Sequence, residues 1–343
     1  MIPREERAAT LKGMRAALSL QQRFGWHEGE RRAQRIDVFD AIAECGATLM
    51  FQVLDPLLGA FIREGSLAGI LVTTRRPLGQ QRFTAAHELG HLVLDHDPHA
   101  DDEGILRRGP LPGGSRGADV PREEREADAF ASYFLLPNWL MTEQMARQGW
   151  TVPAFADPAV VYQASLRFGV SYSGTVYGLE REKLIGRNLR QQLLRVQPKD
   201  LKRTLLPDHP VGSTQRVNVW HLTERDEGAV IEAGRDDLFL LRLREDSAAG
   251  YVWTFDELQA AGFVILRDGR ETAGEGRLGG RTVRRVIGRI DPERPLAGTY
   301  RLHECRRWDP TDEPQALTLH YATSSTDEVG LFRPQRDALL AAS

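Results

Sequence analysis

Apolar residues recur at three- and four-residue intervals over residues 4–24 and 29–44. Both stretches read as amphipathic helices, with Gly25 and Gly29 at their junction and Cys45-Gly46 closing the second. Two short strand-like runs follow, Thr48–Leu54 and Gly69–Thr73, separated by the turn residues Arg63-Glu64-Gly65-Ser66. Helical spacing returns over about Gln80–Leu94, Arg122–Phe134 and Pro137–Gln148. Residues 97–121, rich in Gly, Pro and Asp, read as a long exposed loop of the kind that is usually functional. Beyond Trp150, Pro158–Phe168 and Ser171–Lys183 read as two short helices around Gly169-Val170, and a basic helical stretch runs to about Arg203. Pro207, Pro210 and Gly212 mark a boundary. After it the pattern changes to short strands joined by turns: 217–221, 238–243, 251–255, 263–266, 282–289, 298–305 and 316–321. Strands of that length and spacing predict an all-β sandwich. The expected division is 1–150, 151–205 and 213–324, with 325–343 as a loose tail.

The length of 343 residues agrees with more than one domain. A net charge of -3 gives no overall attraction to nucleic acid or anionic membrane. No stretch approaches the roughly 18 apolar residues of a membrane span, and the first twenty residues do not read as a signal peptide. The two cysteines, Cys45 and Cys305, make neither a disulfide framework nor a Cys-rich metal site. The expectation is a soluble cytoplasmic protein.

The chemistry is concentrated at His87-Glu88-Leu89-Gly90-His91. On a helix, positions i and i+4 share a face, so His87 and His91 can reach one zinc ion. Glu88 lies beside the open position, where it can hold a water and take its proton. A catalytic zinc needs a third protein ligand. Glu124 opens the next strong helix, and Asp128 follows one turn later on the same face, placed to accept a ring N–H from a ligand histidine. Glu123 and Glu126 read as ordinary acidic residues of a helix start. His96 and His99 are competing ligands: His96, five residues past His91, points off the motif face and is expected in a structural or solvent role, while His99, in the loop, is a minor alternative. Tyr133, Tyr162, Tyr172 and Tyr177 are candidates for stabilising an oxyanion.

Two segments resemble the ImmA/IrrE family of metallopeptidases: Gln81-Arg-Phe-Thr-Ala-Ala-His-Glu-Leu-Gly-His-Leu-Val-Leu and Glu124-Arg-Glu-Ala-Asp-Ala-Phe-Ala-Ser-Tyr-Phe-Leu-Leu-Pro137. The strand from Gly69 and Phe168-Gly-Val-Ser-Tyr-Ser-Gly-Thr-Val also resemble family segments, the latter a helix-turn-helix-like unit after the core. The resemblance spans about residues 3–186. It implies an α+β zincin-like core, zinc, and site-specific cleavage of a partner. That partner is expected to be a helix-turn-helix repressor encoded nearby, whose loss relieves repression in a stress, phage or mobile-element response. The Gly69 strand is expected to flank the site and pair with an extended substrate. No DNA-binding domain precedes the peptidase segment, so a DNA-binding partner is expected on a separate chain.

Residues 213–324 resemble chagasin-like cysteine-protease inhibitors, which implies an immunoglobulin-like sandwich. Glu245-Asp-Ser-Ala-Ala-Gly-Tyr-Val-Trp253, Gly276-Arg-Leu-Gly-Gly280 and Arg306-Arg-Trp308 stand where that family has its three binding loops. Ser247, Gly279, Arg306 and Trp308 are the candidate loop residues. The first loop lacks the family's Asn-Pro and threonines, and Arg307 replaces a proline. A sensing or docking role is therefore expected ahead of inhibition. Residues 181–203 carry Arg181, Lys183, Arg187, Arg190, Arg195, Lys199, Lys202 and Arg203. They are either a solvated helix face or a weak nucleic-acid contact. Two other readings of the whole stay open: a peptidase fold that only senses a signal, and an inhibitor acting through the C-terminal loops.

Overall fold

The computed structural model describes residues 4–27, 34–55, 57–101, 120–207, 217–272, 282–291, 293–294, 296–306, 308–309, 311–324 and 329–342. The chain divides into two compact units. The first comprises residues 1–144, 151–195 and 326–343, and the second 145–150 and 196–325. This division differs from the sequence expectation at both ends of the second unit. Most of the helical segment, 151–195, belongs with the metal motif, and the last residues return to the first unit.

The first unit is mixed α+β. Its helices are α1 (Arg4–Phe24), α2 (Val38–Glu44), α3 (Leu78–Val93), α4 (Arg122–Leu135), α5 (Asn138–Gln148), α6 (Pro158–Phe168), α7 (Tyr172–Arg181) and α8 (Arg187–Leu193). Residues 145–148 of α5 lie in the second unit. Three strands precede α3: β1 (Ala47–Gln52), β2 (Gly59–Glu64) and β3 (Leu67–Thr73). A short β4 (His99–Asp101) follows it. The loop expected over 97–121 thus begins with a strand, and its residues 102–119 lie outside the described residues.

α1 buries Ala9, Gly13, Ala17, Leu20, Gln21 and Phe24, a stripe at helical spacing that packs on α4. Gly13 is what lets the two backbones approach. A methyl there would overlap the Glu126 carbonyl oxygen and stand 2.8 Å from the Phe130 nitrogen. α7 is capped by Ser171, whose hydroxyl accepts from the Gly174 nitrogen, and α6 ends on Gly169 at φ 66°.

The last strand of this sheet is β13 (Gly330–Leu331), followed by the final helix, Arg333–Ala342. The strand order is β13-β1-β3-β2-β4. β1 and β3 run parallel, and the other neighbours are antiparallel. β3 is therefore an interior strand with both edges paired. That corrects the expectation that it offers an edge to substrate, because its backbone donors and acceptors are already used. β2 was invisible to the strand reading, and it lies on the far side of β3 from β1.

The end of the chain, expected to be a loose tail, is bound into this sheet. Met50 and Phe51 of β1 pair with Leu331 and Gly330. The Phe332 ring stands 5.7 Å from that of Phe39 and 6.5 Å from that of Phe51. Gln335 donates to the Ala47 carbonyl and accepts from the Leu49 nitrogen.

The second unit is a β-sandwich. One sheet has the order β5-β7-β10-β9, from β5 (Val219–Leu222), β7 (Leu238–Glu245), β9 (Phe263–Thr272) and β10 (Thr282–Ile290). The other is β6-β12-β11-β8, from β6 (Ala229–Gly234), β8 (Tyr251–Thr254), β11 (Ala297–Arg306) and β12 (Gln315–Ser324). β7 is buried on both faces, because Leu238 and Leu240 also pack against Leu206, Val219 and Ile287. That explains its continuous apolar run in place of alternation. Among the described residues no helix is long and apolar enough to cross a membrane.

If the returning end is part of the first unit, Phe332→Ala should cost about 2 kcal/mol, the order expected for removing a half-buried aromatic side chain. Deleting residues 326–343 should cost at least as much. Denaturant unfolding of the full chain measures both. A deletion variant as stable as the parent would show the strand to be dispensable.

Candidate metal centre

α3 and α4 lie side by side, and Gly90 allows it. A methyl at Gly90 would come within 3.2 Å of the Ala127 Cα and the Phe130 Cβ. The contact puts the motif face of α3 against the first turns of α4. His87, His91 and Asp128 are almost wholly buried, and Glu124 is half-buried.

Three side chains converge there. The Nε2 atoms of His87 and His91 are 3.1 Å apart. The Glu124 carboxylate stands 3.5 Å from the first and 3.6 Å from the second. Two ligand atoms about 2.0–2.1 Å from one tetrahedral zinc are separated by about 3.3–3.4 Å, so these spacings bracket the tetrahedral value. Among the described residues this is the group of His, Cys, Asp and Glu side chains able to hold one metal ion.

The carboxylate beside His87 supports the same fit. His87 Nδ1 is 3.1 Å from the Asp128 carboxylate. A carboxylate only accepts, so it favours a proton on Nδ1, which would leave the Nε2 lone pair of the neutral ring turned to the cluster. A lone pair and a carboxylate converging in a buried site repel each other unless a cation lies between them. The residues present fit a divalent metal.

Glu88 is fully buried on the same helix, outside the three-residue cluster. It lies against the start of β2. A methyl at Gly59 would stand 2.7 Å from Glu88 Oε1 and 2.5 Å from the Thr84 methyl. Neither β2 nor this glycine contact was visible in the sequence pattern.

Two residues depart from the sequence reading. His96 faces the cluster, its Nδ1 3.0 Å from His91 Nδ1. Helical geometry would turn His96 off that face, whereas α3 ends at Val93 and Asp95 adopts φ 58°. The His96 nitrogen donates to the His91 carbonyl at 3.0 Å and the Asp95 nitrogen to that of Leu92 at 3.3 Å. This is a Schellman turn, and it folds His96 back over the last helical turn. Glu126, read as a helix-start charge, is 1% exposed. It accepts from His96 Nε2 at 3.1 Å, Lys12 Nζ at 2.6 Å and Arg122 Nε at 2.7 Å. Burial works to raise its pKa, but the hydrogen bonds from Lys12, His96 and Arg122 outweigh it, so the carboxyl lies below the ordinary range.

The remaining candidates are elsewhere. The Tyr172 hydroxyl donates to the Leu193 carbonyl, Arg181 stacks over the Tyr133 ring at 4.2 Å, and Arg190 lies over Tyr177 at 5.9 Å. Arg181 also donates to Ser132 and Leu136, Arg190 pairs with Glu180, and Lys202 is buried. These three basic side chains of the 181–203 stretch are thus committed inside the fold.

In the second unit, Ser247 and Thr282 hydroxyls meet at 2.9 Å. Arg306 donates to the Ala249 carbonyl and stacks over Tyr251 at 4.3 Å. Trp308 is 73% exposed and packs against Gly250. Ser247, Arg306 and Trp308 therefore lie at one end of the sandwich, while Gly279 lies outside the described residues. Trp253 is core and Tyr251 is half-buried. Both cysteines are free.

A peptidase-family profile described as the IrrE N-terminal-like domain matches residues 62–180. A partial IrrE-like domain is present. Its matched span contains His87, Glu88, His91, Glu124 and Asp128, and it excludes β1, the first half of β2 and all of α1. No curated protein matches the chain. Among solved structures, the cysteine protease inhibitor EhICP2 from Entamoeba histolytica is similar at 19% identity and TM-score 0.25, covering 32% of this chain and 100% of that one. Amebosin is similar at 16% identity and TM-score 0.22, covering 31% of this chain and 98% of that one. A Mycobacterium tuberculosis transcriptional regulator is similar at 14% identity and TM-score 0.31, covering 80% of this chain and 76% of that one. At these scores a shared fold does not follow.

The Schellman turn is testable through Asp95. A left-handed residue costs a β-branched side chain about 1–2 kcal/mol. Asp95→Val should lower stability by that order, while Asp95→Gly should leave it within about 0.5 kcal/mol or raise it. Losing the exposed Arg63 pair, 2.5 Å long, should cost little. Chemical denaturation of the three proteins separates these outcomes.

Proposed function

We propose that the first unit is a zinc-dependent endopeptidase that cleaves a regulatory protein in the cytoplasm. The observation that carries this reading is the convergence of His87, His91 and Glu124 on one point, with Glu88 next to His87 on the same helix. The match of residues 62–180 to an IrrE-like domain supports it. His87, His91 and Glu124 would hold the ion, and Asp128 would orient His87.

Bound zinc would polarise the scissile carbonyl and acidify a water. The Glu88 carboxylate takes the proton from that water as its oxygen bonds to the carbonyl carbon. It returns the proton to the amide nitrogen as the C–N bond breaks. Burial of Glu88 keeps bulk water from competing for that proton. A substrate segment that lies extended beside α3 would add to the outer strand β4, since β3 and β2 each already have neighbours on both edges. The substrate would be a helix-turn-helix repressor, whose cleavage relieves repression; the family resemblance supports that class. The loop cluster of Ser247, Arg306 and Trp308 would serve recognition or sensing.

Purified protein should hold about one zinc per chain, and His91→Ala or Glu124→Ala should lower that occupancy, measured by elemental analysis. Glu88→Gln should keep the zinc and lose cleavage. Retained cleavage in Glu88→Gln would exclude the assigned base.

A folded partner repressor should be cut at one or a few sites, read by mass spectrometry of the fragments. General digestion of unfolded casein, with no preferred partner, would contradict a regulatory peptidase.

A further inference from the structure

The structure assigns a positioning role to His96 and Glu126: together they fix the ring of His91 for the metal, and Lys12 of α1 holds the far end of the chain. This assignment rests on the proposal that His87, His91 and Glu124 bind zinc.

Glu126 is buried and accepts from Lys12 and Arg122, so it is held as a carboxylate that can only accept. His96 Nε2, 3.1 Å away, must therefore carry the proton. In the neutral ring His96 Nδ1 is then an acceptor. It faces His91 Nδ1 at 3.0 Å, so His91 carries its proton on Nδ1. That leaves the His91 Nε2 lone pair aimed at His87 Nε2 and Glu124. Each metal-facing histidine thus has a buried carboxylate behind it: Asp128 stands 3.1 Å from His87 Nδ1, and Glu126 reaches His91 through a second imidazole. The rings of His91 and His96 meet nearly edge to face, 4.9 Å between centroids at 70°, which fixes the plane of His91 as well as its tautomer.

The relay draws on a helix outside the matched domain. Lys12 Nζ is 2.6 Å from Glu126 Oε2, the same oxygen that accepts from His96. It reaches there because the adjacent Gly13 brings the α1 backbone against the Glu126–Phe130 stretch of α4. The matched span begins at residue 62, so α1 supplies part of the metal centre from beyond the recognisable peptidase segment.

The test measures zinc affinity of the full chain by competition with a chromophoric chelator, and the visible spectrum of the cobalt-substituted protein. His96→Phe removes the acceptor facing His91. It should weaken zinc binding by roughly 10- to 100-fold, the usual effect of removing a group that orients a metal ligand. His96→Asn keeps an acceptor near the Nδ1 position and should recover part of that loss. Glu126→Gln should weaken binding in the same direction, and Lys12→Met less than either. The cobalt spectrum should change with His96→Phe and return toward the parent with His96→Asn. A purely structural role would instead lower the melting temperature in chelator and leave the affinity of the folded protein alone. If His96→Phe does not fold, His96→Asn and Glu126→Gln carry the comparison. Parent-like zinc affinity in the His96 and Glu126 variants, with the parent binding zinc, overturns this assignment alone. A parent chain that takes up no zinc overturns the metal reading beneath it, and this assignment with it.

Discussion

Two imidazole nitrogens 3.1 Å apart, with a carboxylate beside them, are the constraint on which the first unit is organised. Such a group of lone pairs does not sit together by apolar packing. It is held there by α3 and α4 at their glycine contact, and by partners on the outer nitrogens of both rings. Those partners need their own support, because a buried carboxylate without donors would cost several kcal/mol. Glu126 obtains it from Lys12 and Arg122. The demand for paired charge thus runs outward from the cluster to α1, and the Gly13 contact with α4 serves that demand as well as apolar burial.

The cluster itself was legible in the sequence because each relevant spacing lies within one helix. His87 and His91 are one turn apart, as are Glu124 and Asp128, and helical geometry converts those spacings into faces. His96 was misplaced for the converse reason. The i+5 spacing from His91 points off the motif face only on a helix, and past Val93 the backbone leaves the helix through the left-handed Asp95. The one available signal was an aspartate shortly after the last periodic residue, at a position where glycine or asparagine is usual. Glu126 was misread because its surroundings come from a helix more than a hundred residues earlier, and no local pattern reports that.

The fold was readable to a similar depth. The long helices and most sandwich strands follow from period. β2 and β6 escaped notice, and β3 was given an edge it does not have, because sheet order is a property of pairing between distant segments. The C-terminal residues show the same limit. Small, polar and charged residues before a short helix look like a tail, until β1 is seen to take Gly330 and Leu331 as neighbours.

That last pairing bears on how the protein is made. β1 is synthesised within the first 52 residues, and its partner β13 only at residues 330–331. Everything in the second unit is translated in between. The five-stranded sheet is therefore finished only after the second unit has been translated, and contacts that span such a sequence separation form slowly. Until then the outer edge of β1 stands open, so any transcript truncated within the second unit yields a first unit lacking its closing strand.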